Sequence, residues 1–243
     1  MCSWCYAFAP SWRALVEDCG RSVALRYVMG GWRPTATCPC PSPCAPPSPI
    51  PRAIERRTGA DFNHDFWRLN EPRRSTWPAC RAVIAAALVR EGAGPEMIEA
   101  IQRAYYREAR NPSLDEVLID IAESIGLDRG RFADEFHGDE VRRDFAADLA
   151  LTRNLGVAGF PAVFALREGG GDDGALVPVT LGYRAPHDVV AAGREALVRL
   201  GLATGSLISH RPQPVPRARP IPYPTIPEPE AVPAAVPQGP KVR

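Results

Sequence analysis

Two cysteines separated by two residues open this chain, in Met1-Cys2-Ser3-Trp4-Cys5-Tyr6-Ala7-Phe8-Ala9-Pro10, directly before an apolar, helix-compatible run from Ala7 to Cys19. A cysteine at a helix start sits among unpaired backbone N–H groups, at the positive end of the helix dipole. Both favour thiolate over thiol, and the thiolate is the nucleophile in disulfide exchange. In that geometry Cys2 is the exposed attacking sulfur and Cys5, further into the helix, is the resolving one. The functional reading is a redox dithiol, which gains weight if a strand–helix–strand pattern follows. The alternatives are half of a zinc site and two cysteines without chemistry.

The helix is expected to stop at Gly20, with Phe8, Trp12, Leu15, Val16 and Cys19 as its buried stripe. Val23 to Met29, mostly apolar and bounded by Gly30-Gly31, reads as a largely buried parallel strand. A crossover needs a leading strand, and none precedes Cys2. The expectation is that the start has been placed too late, the alternative being a pairing position left empty or filled by another segment.

From Pro34 to Pro51 prolines recur too often for helix or central strand, leaving an extended loop that carries Cys38, Cys40 and Cys44. Their spacing does not match the usual two-by-two zinc arrangement, and they read as incidental exposed thiols. Arg52 to Leu69 reads as a helix and a connection anchored by Phe62, Phe66 and Trp67, with His64 a surface residue. From Thr76 to Leu155 the periodicity is helical throughout. Its expected details are an apolar face of Cys80, Val83, Ile84, Ala87 and Leu88, and a second helix after Gly94-Pro95. A capping box at Ser113 to Glu116 and a cap at Asp128 open the next two, and a fifth helix runs from Asp139 to Leu155. Cys80 reads as core and His137 as a cap or surface group.

The period then changes. Val157 to Leu166 reads as a proline-led strand, Gly169 to Gly174 as a turn, and Ala175 to Tyr183 as the antiparallel partner, in which Pro178 marks an edge or a bulge. A last helix opens at Pro186 and stops at Gly201. The tail from His210 to Arg243 holds 11 of the chain's 27 prolines and is expected to be extended and mobile.

Composition excludes several classes. With 29 basic and 28 acidic residues the net charge is +1, which gives no electrostatic case for nucleic acid or an anionic membrane. No apolar run approaches the roughly 20 residues that span a bilayer, and no charged segment with an apolar h-region opens the chain. A cytoplasmic location is expected. At 243 residues and 45% apolar the chain can bury a full core, with one domain plus an insertion as the default. Seven cysteines exclude a fully paired disulfide framework.

The order of these parts resembles the DsbA-like thioredoxin-fold family, whose helical domain is inserted between the halves of a thioredoxin fold. The residues that carry the resemblance are Met1 to Pro10, Met29-Gly30-Gly31-Trp32-Arg33-Pro34, Cys80-Arg81-Ala82-Val83 and Gly156-Val157-Ala158-Gly159-Phe160-Pro161-Ala162. The fold class implied is α/β, thioredoxin-like, with an inserted all-α domain, the first strand missing and a disordered Pro-rich tail. The expected segments are 1–33 and 156–203 for the two parts of the thioredoxin-like domain, 34–75 for the Cys/Pro-rich loop and connection, 76–155 for the insertion and 204–243 for the tail. By resemblance Pro161 is the cis-proline facing the active-site disulfide, and the backbone of Phe160 pairs with an extended substrate peptide.

The activity this implies is thiol–disulfide oxidoreduction. Cys2, Cys5 and Pro161 are the catalytic set, and Ser3, Trp4 and Phe160 meet the substrate. No metal or nucleotide is required, and the cofactor is the redox-active disulfide itself, with glutathione as a possible co-substrate. The partners are protein or small-molecule thiols and disulfides and a recycling reductant or oxidant. Two other classes compete. One is a glutathione-dependent isomerase or transferase of the same fold, against which the intact Cys2/Cys5 pair argues. The other is a non-catalytic zinc or interaction protein using Cys2, Cys5, Cys38, Cys40 and Cys44.

Overall fold

The helix that follows Cys2 forms in two pieces. In the computed structural model, which describes residues 2–20, 23–31, 50–71, 75–167 and 175–202, α1 (Ser3–Ala7) and α2 (Ala9–Cys19) meet at Phe8. Pro10, in the first turn of α2, has no N–H to offer the Tyr6 carbonyl, so the ladder is interrupted there. Gly20 ends α2 with φ 61°, a left-handed conformation that costs glycine nothing. Phe8 and Leu15 are buried as expected, while Trp12 and Cys19 pack at the margin of the same cluster. The stripe also contains a polar residue that periodicity does not flag: Ser11 is fully buried, and its hydroxyl donates to Arg184 O at 2.7 Å.

The expected buried strand at Val23 to Met29 is not one. The segment is extended, but Ala24, Leu25 and Arg26 are exposed and no strand among the described residues pairs with it. A strand exists through its ladder. Here the backbone is instead tied to a helix, Met29 N donating to Asp148 Oδ2 at 2.8 Å. Helix α3 (Ile50–Thr58) begins two residues before the expected Arg52, with Pro51 in its first turn, where its missing N–H costs nothing. The short α4 (Phe66–Leu69) follows, with Phe62 and Phe66 buried.

Five helices come next: α5 (Trp77–Val89), α6 (Ala93–Tyr106), α7 (Asp115–Ser124), α8 (Arg129–His137) and α9 (Asp139–Asn154). They share one core, in which Met97, Ile101, Leu118, Ile121, Phe132 and Phe136 are essentially inaccessible to solvent. The buried face of α5 is rotated from the expected one: Ala79, Ala82, Val83, Ala85 and Ala86 are buried, whereas Ala87 is exposed. An alanine-rich helix carries little contrast between its faces, so neighbours set the rotation. The capping box at Ser113 does not form. Ser113 bonds Asn111 Oδ1 through both its N–H and its hydroxyl, at 3.1 and 2.7 Å, and α7 starts after Leu114 without a side-chain cap. Asp128 does cap α8, accepting from Arg131 N at 2.7 Å.

The last part is the hairpin β1 (Ala162–Arg167) and β2 (Ala175–Leu181), followed by α10 (Pro186–Arg199). The strands pair antiparallel, with a register shift between Val163, opposite Thr180, and Phe164, opposite Pro178. The bulge thus falls beside Pro178, which cannot donate to a ladder. Strand β1 begins at Ala162, five residues later than the expected Val157, because Gly159 to Pro161 turn instead of pairing. α10 packs against α2 and the hairpin around Phe8, Leu15, Val177, Val179, Val189 and Leu200. Cys38, Cys40, Cys44, the Gly169–Gly174 turn and the tail from 204 lie outside the described residues.

Candidate active site

Cys2 is the N-cap residue of α1, extended at φ −88° and ψ 116°, and Cys5 lies within the helix. Both are thiols in this structure. The Cys2 pKa is lowered to about 6, first by a hydrogen bond from the Cys5 thiol. Burial opposes the shift, and the backbone N–H groups of Cys5 and Trp4 add to it. Cys5 is driven the other way, well above the ordinary thiol range, because it is the donor in that bond and because its partial burial disfavours the charged form. Two like groups pushed apart in acidity give one nucleophile and one reserve thiol.

The Cys2 sulfur faces one loop, which other segments hold in place. The Phe160–Pro161 peptide bond is cis, and Cys2 Sγ lies 3.8 Å from Phe160 O, within reach of a thiol donor. The loop is held from the far side by Gly182 N, which donates to Pro161 O at 2.7 Å. The Phe160 ring rests on Gly30: a β-carbon there would stand 2.0 Å from Phe160 Cζ. Trp4, between the cysteines, packs on Tyr183 with ring centroids 5.7 Å apart. Ser3 faces a different neighbourhood, a cavity lined also by Phe62, His64, Trp67 and Tyr106.

The structure therefore brings Cys2, Cys5, Phe160 and Pro161 together, with Trp4 beside them and Ser3 on the flank. Cys80 is partly buried, bonded to Gly31 backbone and to Thr76, and a charge on it would raise Cys5 further. The core position expected for it is not what it occupies: Cys80 stands outside the packed cores, close enough to the dithiol for its charge to act on Cys5. His64 pairs with Glu55 at 2.9 Å on the surface, and His137 ends α8. Sequence reasoning missed Gly30 as a seat, Tyr183, Arg57 and Tyr106. The Gly30-Gly31 pair could have signalled a close approach; the other three depend on contacts far apart in sequence.

Among the described residues no three His, Cys, Asp or Glu side chains cluster as metal ligands. No helix among them is long and apolar enough to cross a membrane.

A cis-proline loop facing a C-x-x-C helix, with a helical insertion between them, defines a thioredoxin-fold thiol protein. A family model described as Thioredoxin matches residues 1–184, and the chain belongs to this family, in its DsbA-like branch. Among solved structures it is similar to the cytosolic disulfide reductase DsbM from Pseudomonas aeruginosa, with 31% identity and a TM-score of 0.65 over 82% of this chain and 95% of that one. It is also similar to DsbM with GSH, at 28% identity and a TM-score of 0.62, over 83% and 95% of the two chains. Among curated proteins it resembles the ClpXP adapter protein SpxH of Bacillus subtilis, 23% identical over 138 residues, which are 56% of this chain and 46% of that protein. The chain thus spans about half the length of the curated relatives it matches.

Proposed function

We propose that this protein is a thiol–disulfide oxidoreductase acting through Cys2 and Cys5. The observation that carries the reading is the split in acidity across the pair, with Cys2 at about 6 and Cys5 well above an ordinary thiol, beside the Phe160 carbonyl. At neutral pH Cys2 is mostly thiolate. It attacks one sulfur of a substrate disulfide, forming a Cys2–substrate mixed disulfide and releasing the other half as a thiolate. Cys5 then loses its proton and attacks the Cys2 sulfur. The substrate's second thiolate leaves, so that two electrons have passed from the pair to the substrate and the Cys2–Cys5 disulfide remains. Two equivalents of a small thiol, with glutathione the natural candidate, return the pair to the dithiol and leave as a disulfide.

Phe160 O and the backbone beside it offer an edge for an extended substrate, and Trp4 lies between the two cysteines beside that edge. Similarity to a cytosolic disulfide reductase supports the reducing direction and a cytoplasmic location. The test is trapping. Cys5→Ser should accumulate a mixed disulfide at Cys2, and Cys2→Ser should neither trap nor turn over; turnover by Cys2→Ser contradicts the mechanism.

A further inference from the structure

The side chain of Arg57, near the C-terminal end of α3, lies over Trp4, one of the two residues between the cysteines. Its Cζ is 5.5 Å from the centroid of the Trp4 ring and 5.8 Å from that of Tyr183. A guanidinium over two aromatic rings is attracted by both and gives up much of its freedom before any ligand arrives. The nearby carboxylates are engaged elsewhere: Glu55 with His64 at 2.9 Å, and Asp61 with Arg107 at 2.9 Å. Among the described residues Arg57 forms no ion pair, whereas Arg68, Arg90 and Arg110 each have a carboxylate within 3.3 Å.

The position of this cation is what gives it meaning. Trp4 is one residue from Cys5 and two from Cys2. Tyr183 follows Gly182, which holds Pro161 O. Arg57 therefore rests on the same frame that faces the Cys2 sulfur, with no carboxylate partner among the described residues and its guanidinium over two rings. A guanidinium so held presents fixed N–H donors suited to a carboxylate.

We propose that Arg57 is a specificity residue of the dithiol, receiving a carboxylate carried close to the reacting sulfur of the substrate. This rests on the oxidoreductase reading and adds the substrate class: an anionic thiol or disulfide. The redox step is unchanged, and Arg57 contributes an ion pair alone. A small thiol such as glutathione supplies such a carboxylate, and so does an Asp or Glu beside a cysteine in a protein.

The test compares rates of oxidation of reduced wild type, Arg57→Ala and Arg57→Lys by two matched pairs of probes. One pair is glutathione disulfide and its fully esterified form. The other is a short peptide disulfide with Glu beside the cysteine and its Gln counterpart. The charged-to-neutral rate ratio should fall about tenfold in Arg57→Ala for at least one pair, with Arg57→Lys in between. The pair that responds identifies the source, small thiol or protein. A ratio unchanged in both pairs, including uniform slowing of all probes, overturns the role of Arg57 and leaves the dithiol reading standing. If no probe converts wild-type Cys2 and Cys5 into a disulfide, the oxidoreductase reading falls and the carboxylate site with it.

Discussion

The aromatic ring of Phe160 lies against the backbone of Gly30, with no room for a methyl group between them. The residue whose carbonyl faces Cys2 is thus seated on the segment that leads out of the first helix pair. Gly30→Ala would force the ring, and the loop with it, away from its seat. The expected result is about 1–3 kcal/mol of destabilisation, from overpacking, and slower exchange with peptide disulfides. Alkylation of Cys2 by iodoacetamide should change little, since its thiolate depends on Cys5 and on helix backbone instead. Urea unfolding and the two rate assays separate these effects.

The acidity of Cys2 predicts a pH profile. Its alkylation rate should rise through a midpoint near pH 6, while Cys5 should stay unreactive until well above the ordinary thiol range. The linkage has a definite sign. A thiol whose folded pKa is depressed contributes stability that is complete above its unfolded pKa, about 8.5, and lost as pH falls through about 6. The reduced protein should therefore gain stability relative to the oxidised form between these two values. Cys5, shifted upward, opposes this only above the ordinary thiol pKa. Melting of both forms across that range measures the difference, and a flat difference contradicts the shift.

Asp148 is buried on α9, accepts from Met29 N at 2.8 Å, and has Arg26 only at 3.9 Å. Burial raises its pKa. A carboxyl raised in the folded state favours folding at low pH and loses that advantage as pH rises through its folded value. Asp148→Asn should therefore match or exceed wild-type stability at pH 7, with the acceptor retained. Asp148→Ala should lose about 1–3 kcal/mol by leaving the Met29 N–H unpaired. Chemical denaturation at pH 5 and 7 distinguishes the two.

Tyr106 is buried in an aromatic cluster, stacked on Tyr6 with centroids 4.6 Å apart, and among the described residues its hydroxyl has no hydrogen-bond partner. An unpaired buried hydroxyl costs about 1–3 kcal/mol of desolvation. Tyr106→Phe keeps the stack and removes that cost, so it should be as stable as wild type or more so by urea unfolding. Tyr106→Ala should lose about 3–5 kcal/mol.

Part of this site can be read directly from the sequence. Cys2-Ser3-Trp4-Cys5 before a helix gives one half through its own backbone constraint, whereas Gly159-Phe160-Pro161, read by itself as part of a strand, gives the other half only through the family resemblance. The hairpin, with its bulge at Pro178, and the last helix between Pro186 and Gly201 are legible through local backbone constraints. The failures have a common cause. Whether Val23 to Met29 becomes a strand depends on a partner to pair with, and which face of α5 is buried depends on neighbours that an Ala-rich helix does not name. Ser113 carries a capping pattern, yet Asn111 competes for it two residues away. Arg57, Tyr106 and Tyr183 reach the site through tertiary contacts, and no local signal announces those.

The central claim is that Cys2 and Cys5 form one redox couple. A glutathione redox titration, read by mass spectrometry of differentially alkylated cysteines, tests it most directly. Cys2 and Cys5 should switch together as a single two-electron pair while Cys19 and Cys80 stay reduced. The midpoint should fall between those of thioredoxin, about −270 mV, and DsbA, about −120 mV, because a Cys2 pKa of about 6 lies between their nucleophiles' values of about 7 and about 3.5. Independent oxidation of the two sulfurs, or no disulfide between them at any poise, would contradict the account.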